Sequence, residues 1–147
     1  MPGGDQKVND HHADRIVASD RLVTETVTTK PRDILILDDD PAITRALRRV
    51  LSAHHTVRCA GTAAEALALI EARVPEVLLS DYQLAEVTAD EFLREVKARW
   101  PSIRCILHSA SRRDAWADLI KDGIVEAVLV KPASISDLLK IIERGTG

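Results

Sequence analysis

The chain has 147 residues, room for one ordinary domain and hardly for two. Apolar residues make up 46% of it but aromatics only 3%, so the core has to be aliphatic, built from Leu, Ile, Val and Ala. A formal charge of −3 argues against direct contact with nucleic acid or a membrane surface, and no apolar run approaches the roughly 18 residues of a membrane span.

Residues 1–31 are polar, carry Pro and Gly early and show no helical period. They read as a disordered N-terminal tail, with weak alternation in SDRLVTETVTTK leaving an edge strand as the second reading. MPGGDQKVNDHHADR lacks the apolar segment of a secretory signal, so a cytoplasmic location is the simplest expectation. His11 and His12 have no partner cluster and read as solvated.

From Arg32 the pattern sharpens, and one domain is expected over 32–145. ILIL (34–37) is too short for a helix and reads as a buried strand. Asp40 fits the N-cap and Pro41 the first turn of a helix carrying Ile43, Leu47, Val50 and Leu51. TVRCA (56–60) is a strand, and Thr62 caps a helix that ends before Pro75. EVLLSD (76–81) is another buried strand, and Phe92, Leu93 and Val96 mark a helix closing before Pro101. IRCILHS (103–109) is a strand; Trp116, Leu119 and Ile120 give a helix stopped by Gly123. EAVLV (126–130) is the last strand, and Ser134 or Ser136 caps a final helix through Ile142. The chain stops just after it, so a stand-alone domain is expected.

Strand and helix alternate five times, and the strands are apolar throughout instead of alternating. That is the mark of a parallel sheet covered by helices on both faces. Ligands of such sheets bind beyond the carboxyl ends of the strands. Asp38 and Asp39 stand there after the first strand, Asp81 after the third, Ser109 after the fourth and Lys131-Pro132 after the fifth. Three clustered carboxylates need a neutralising cation, and Mg²⁺, a hard ion seeking oxygen ligands, suits them. A carboxylate so placed can attack phosphorus, with Lys131 and the Ser109 hydroxyl meeting phosphoryl oxygens.

ILILDDDP, EVLLSDYQLAE, CILHSAS and AVLVKPAS, in that order, resemble the receiver domain of two-component response regulators over about residues 32 to 145. The resemblance implies an α/β, flavodoxin-like, doubly wound sheet of five parallel strands in order 2-1-3-4-5 with five helices, a topology well known in this family. It implies that Asp81 takes a phosphoryl group from a histidine kinase or histidine phosphotransfer protein. Mg²⁺ would be held by Asp39, Asp81 and the backbone carbonyl of Gln83, with Asp38 acting through water. Ser109 would be the switch hydroxyl, Lys131 the phosphate-binding lysine, and Lys131-Pro132 a cis bond. The face of the fourth helix, fifth strand and fifth helix would carry the signal to an effector protein or a second copy. The chain would then be a phosphoacceptor and not an enzyme.

Several residues depart from the family pattern. Ala85 and Ala89 stand where proline and glycine are usual, and Val128 where an aromatic ring usually swings inward on activation. The loop GIVEA is also one residue longer. These leave room for a degenerate receiver that binds partners with weak switching. Asp38-x-Asp40 also resembles the paired acids of haloacid-dehalogenase-type phosphatases, although Pro41-Ala42 does not.

Other residues have plain readings. Asp40 is a helix cap, His54 and His55 are solvated loop residues, and Cys59 and Cys105 are buried and reduced. His108 is packed or half-exposed beside the site. Trp116 belongs either to the core or to a docking patch. Ser111-Arg112-Arg113 is a solvated helix entry, and Gln83 and Ser111 occupy positions that influence hydrolysis rate in the family.

Overall fold

The computed structural model describes residues 16–18, 30–110 and 112–144. Among these described residues six strands form one sheet: β1 (Ile16–Ala18), β2 (Asp33–Leu37), β3 (Thr56–Ala60), β4 (Val77–Asp81), β5 (Arg104–Ser109) and β6 (Ala127–Val130). Five helices connect β2 onward: α1 (Pro41–Leu51), α2 (Ala63–Ala72), α3 (Ala89–Arg99), α4 (Arg113–Lys121) and α5 (Ile135–Glu143). The sheet order is β1-β6-β5-β4-β2-β3. Strands β2 to β6 are parallel and reproduce the expected order, 2-1-3-4-5 when counted from β2. β1 adds a sixth strand, antiparallel to β6.

The expected disordered tail is corrected at Ile16–Ala18 alone. Ile16–Ala18 form a strand, with Ile16 opposite Leu129, Val17 opposite Val128 and Ala18 opposite Ala127. The rest of residues 1–29, including His11, His12 and nearly all of SDRLVTETVTTK, lies outside the described residues.

The apolar runs become strands because both faces of the sheet are covered. Alternate residues enter opposite layers. Leu35, Leu37, Leu78, Cys105, Leu107 and Val128 pack with α2, α3 and α4 residues such as Ile70, Phe92, Leu93 and Leu119. Ile34, Ile36, Val77, Leu79, Ile106 and Leu129 pack with Leu47 and Leu51 of α1 and Leu138, Ile141 and Ile142 of α5. Each fully buried branched side chain contributes about 1.5–3 kcal/mol relative to exposure. Trp116 is 2% exposed, which resolves its two readings in favour of the core.

Helix entries follow the expected polar residues. Asp40 accepts a hydrogen bond from Ala42 N–H, Thr62 from Glu65 and Ser134 from Asp137. Thr88 caps α3 in the same way through Glu91. Gly123, at φ 74°, takes the left-handed conformation that ends α4. Ala89, where the family favours glycine, opens α3 with its methyl group fully buried in the core.

Two readings of single residues change. Cys59 is half-buried, because β3 is an edge strand, while Cys105 is buried as expected. His55 is buried, not solvated. Its Nδ1 accepts the Arg32 backbone N–H at 3.0 Å, so Nε2 carries the proton and donates to Glu143 Oε2 at 2.9 Å. The imidazole thus joins the start of β2 to the last residue of α5. Arg104 works beside it: its guanidinium pairs with both Glu126 oxygens and caps the Ile141 and Ile142 carbonyls. These contacts satisfy the open C-terminal end of α5. Replacing His55 with Ala strands the Arg32 N–H in a buried position; urea unfolding should show a loss of about 1–3 kcal/mol.

Candidate functional site

Parallel register sets the carboxyl ends of β2, β4, β5 and β6 along one edge of the sheet. Asp38 continues β2, its N–H donating to the Ala60 carbonyl at 3.1 Å. Asp38 is buried and Asp39 exposed, while Asp81 ends β4 and is 7% exposed. One oxygen from each of Asp38, Asp39 and Asp81 lies within 4.8 Å of the others. Lys131, from the end of β6, reaches back into this group. Its Nζ stands 3.3 Å from Asp38 Oδ2 and 3.6 Å from Asp81 Oδ1.

The local backbone fixes these side chains. Asp40 N–H donates to Asp38 Oδ1 at 2.9 Å, and Gln83 N–H to Asp81 Oδ1 at 3.3 Å. Asp40 itself is committed to capping α1, so the Asp38-x-Asp40 pair of a phosphatase is split between a cleft and a helix end. Lys131 N–H donates to the Ser109 carbonyl at 2.9 Å, which binds the ends of β5 and β6 together, and the Lys131-Pro132 bond is cis. Ser109 is fully buried. Ser111 lies outside the described residues.

Charge balance favours a divalent cation. Among the described residues three carboxylates face one ammonium, leaving two negative charges uncompensated. The Asp81 carboxyl is raised above its ordinary range, first by burial and also by the Asp38 charge, while Lys131 and the Gln83 N–H pull the other way. An all-oxygen donor set of this kind fits Mg²⁺, which would supply the missing positive charge when bound. Asp38, Asp39 and Asp81 are the side chains that could hold it.

His108 is the neighbour that the sequence left least defined. It follows Ile106 on β5, so strand alternation puts it on the sheet face covered by α1 and α5, as Asp81 follows Val77 and Leu79 on β4. It is 8% exposed, and neither ring nitrogen has a hydrogen-bond partner among the described residues. Burial, aided by the Lys131 charge, pushes its pKa down to about 4, so the imidazole is neutral at pH 7.

Residues 34–143 match the response regulator receiver domain family. The hydrogenase transcriptional regulatory protein HoxA of Cupriavidus necator is 33% identical over 105 residues, 70% of this chain and 22% of that protein. The transcriptional regulatory protein PdtaR of Mycobacterium tuberculosis is 30% identical over 122 residues, 82% of this chain and 59% of its own length. The chain therefore spans less than two thirds of these curated relatives. The signal receiver domain of an HD domain-containing protein from Pseudomonas fluorescens superposes with a TM-score of 0.71 at 28% identity, covering 82% of this chain and 90% of that one. A CheY-like response regulator receiver domain protein from Methanospirillum hungatei gives a TM-score of 0.72 at 28% identity, covering 77% and 91%.

Two stability measurements test the electrostatics. Asp81 is penalised when ionised in the fold, so the unfolded chain releases that proton first and stability falls as pH rises above the ordinary carboxyl range. Asp81→Asn should raise the melting temperature at pH 7 in EDTA, and MgCl₂ should stabilise the parent but not the variant. His108 carries the opposite sign. Between pH 6.5 and about 4 the unfolded chain binds a proton that the folded chain refuses, so its contribution is intact above 6.5 and lost by 4. In His108→Leu the acid limb of stability against pH should flatten by up to about 3 kcal/mol.

Proposed function

The chain belongs to the response regulator receiver domain family, and on that premise we propose that Asp81 accepts a phosphoryl group from a histidine kinase or histidine phosphotransfer protein. The observation that carries this reading is the Lys131 ammonium 3.6 Å from Asp81 Oδ1, in a cleft that also gathers Asp38 and Asp39. An Asp81 carboxylate oxygen attacks the phosphorus of the donor phosphohistidine; the O–P bond forms, the N–P bond breaks, and the leaving imidazole takes up a proton. Burial of Asp81 keeps bulk water from competing for the same geometry. Lys131 exchanges its pairing with Asp38 for a phosphoryl oxygen, and Ser109 contributes a hydroxyl to another. Asp39, Asp81 and the Gln83 carbonyl, with Asp38 through water, would hold Mg²⁺, which when bound would supply positive charge to the phosphoryl group.

The output follows from the same residues. Drawing Lys131 and Ser109 towards phosphate pulls on the two strand ends that the Lys131 N–H to Ser109 carbonyl bond ties together. The affected surface is the face of α4, β6 and α5, where an effector protein or a second copy would bind. The domain is a signalling phosphoacceptor, with self-phosphorylation and autodephosphorylation as its only chemistry, working in the cytoplasm.

A second reading rests on Val128. It is fully buried and has no ring to exchange between inner and outer positions. A receiver with this residue can bind partners with little phosphorylation-linked switching.

Incubation with MgCl₂ and acetyl phosphate, followed by intact mass measurement, should give one phosphoryl adduct. The adduct should vanish in Asp81→Asn and in EDTA; an unmodified parent protein would sink the phosphoacceptor reading. Beryllofluoride with Mg²⁺ should shift amide resonances along α4 and α5. Shifts confined to the pocket would favour the weakly switching module.

A further inference from the structure

In a five-stranded receiver sheet, β6 would be an edge strand whose outer N–H and C=O groups have no partner, an open invitation to strand addition. Here the chain's own Ile16–Ala18 takes that place, antiparallel and in register with Ala127–Leu129. We propose that β1 is an internal guard strand: it occupies the strand-addition edge of the output face and leaves when Asp81 is phosphorylated. The release half of this proposal rests on the phosphoacceptor reading above.

Three features of the placement support it. The first is position. Val17 lies opposite Val128, the residue that stands where a switching aromatic is usual, and Val128 is only three residues before Lys131. A shift of Lys131 or Ser109 towards phosphate is therefore felt first along the strand that β1 is reading. The second is strength. β1 is three residues long, whereas β2, β3 and β4 are five each. A pairing this short adds few hydrogen bonds, in the range of local opening and not global unfolding. The third is reach. β1 runs against β6, so Ala18 sits at the Ala127 end, the same end of the sheet from which β2 starts. Four strand spacings, about 19 Å, separate the two, and residues 19–32 at about 3.3 Å per extended residue cover that span with slack. The chain between them is long enough for β1 to leave while β2 stays in place.

Pairing by β1 uses backbone groups that an extended segment of a partner would otherwise engage. The guard thus acts by competition. While β1 is seated, an effector or second copy that adds a strand to β6 must displace it, and the displaced segment stays close enough to return when the phosphoryl group is lost.

Hydrogen exchange of the full chain, read by mass spectrometry over peptides covering 127–130, tests both halves. The comparison is with Val17→Pro/Ala18→Pro. Neighbouring N–H groups in a strand point to opposite sides, so one of the two prolines removes a donor facing β6 whichever way the strand is phased. Without activator, 127–130 should exchange about tenfold faster in the double variant than in the parent, while β2 and β4 stay protected. Adding beryllofluoride and MgCl₂ should bring the parent to the variant's rate and leave the variant unchanged. Equal exchange in parent and variant without activator would overturn the guard strand. A parent that binds beryllofluoride, seen by ¹⁹F NMR, yet keeps β6 protected would overturn its release. Failure to bind beryllofluoride would overturn the phosphoacceptor reading and the release with it, while the proline comparison still decides the covering.

Discussion

The arrangement depends on a charge imbalance held at one edge of a dry sheet. Asp38 and Asp81 are nearly buried, Asp39 is close by, and a single ammonium from Lys131 spans two of them. Burial amplifies each of these interactions, because little water is present to screen them. The parallel register is what makes the imbalance possible: it forces four strand ends to the same level, so residues far apart in the chain share one cleft. The hydrophobic layers on either face act as the scaffold that prevents the acids from separating. A site of this kind favours added positive charge.

Much of this was legible in the sequence because strand-end residues are set by periodicity alone. Short branched runs such as ILIL and EVLLSD can only be buried strands, and the polar residue that follows each must emerge at the sheet's edge. Caps were equally legible: Asp40, Thr62 and Ser134 each precede an apolar helical period and each accepts the expected N–H. What escaped were contacts whose partners lie far along the chain. His55 is a loop residue that looks solvated until Glu143 and the Arg32 backbone arrive from 88 and 23 positions away. Ile16–Ala18 has two β-branched residues, but a run of three is too short to read as a strand, and its pairing depends on the exposed backbone of β6. Trp116 could not be resolved, because an aromatic at helical spacing serves a core and a docking patch equally well.

Two of the departures from the family pattern, Ala89 and Val128, have different physical consequences. Ala89 is absorbed by the core, where its methyl adds packing at the start of α3, so that substitution leaves the scaffold intact. Val128 instead places a fully buried aliphatic side chain on β6. The strand that contains it is the one with an additional neighbour on its outer side, and the two features occupy the same stretch of chain.

The clamp on the far end of α5 has a mechanical consequence. Arg104 and His55 grip its last residues, whereas its first turn follows Lys131-Pro132 after only Ala133 and the capping Ser134. A rod fixed at one tip and pushed at the other pivots; it does not slide. Any displacement delivered by the lysine is therefore converted into tilt, largest next to the cleft and fading to nothing two and a half turns away, so a ligand gripping the helix near Ile135 would sense far more than one resting on Glu143.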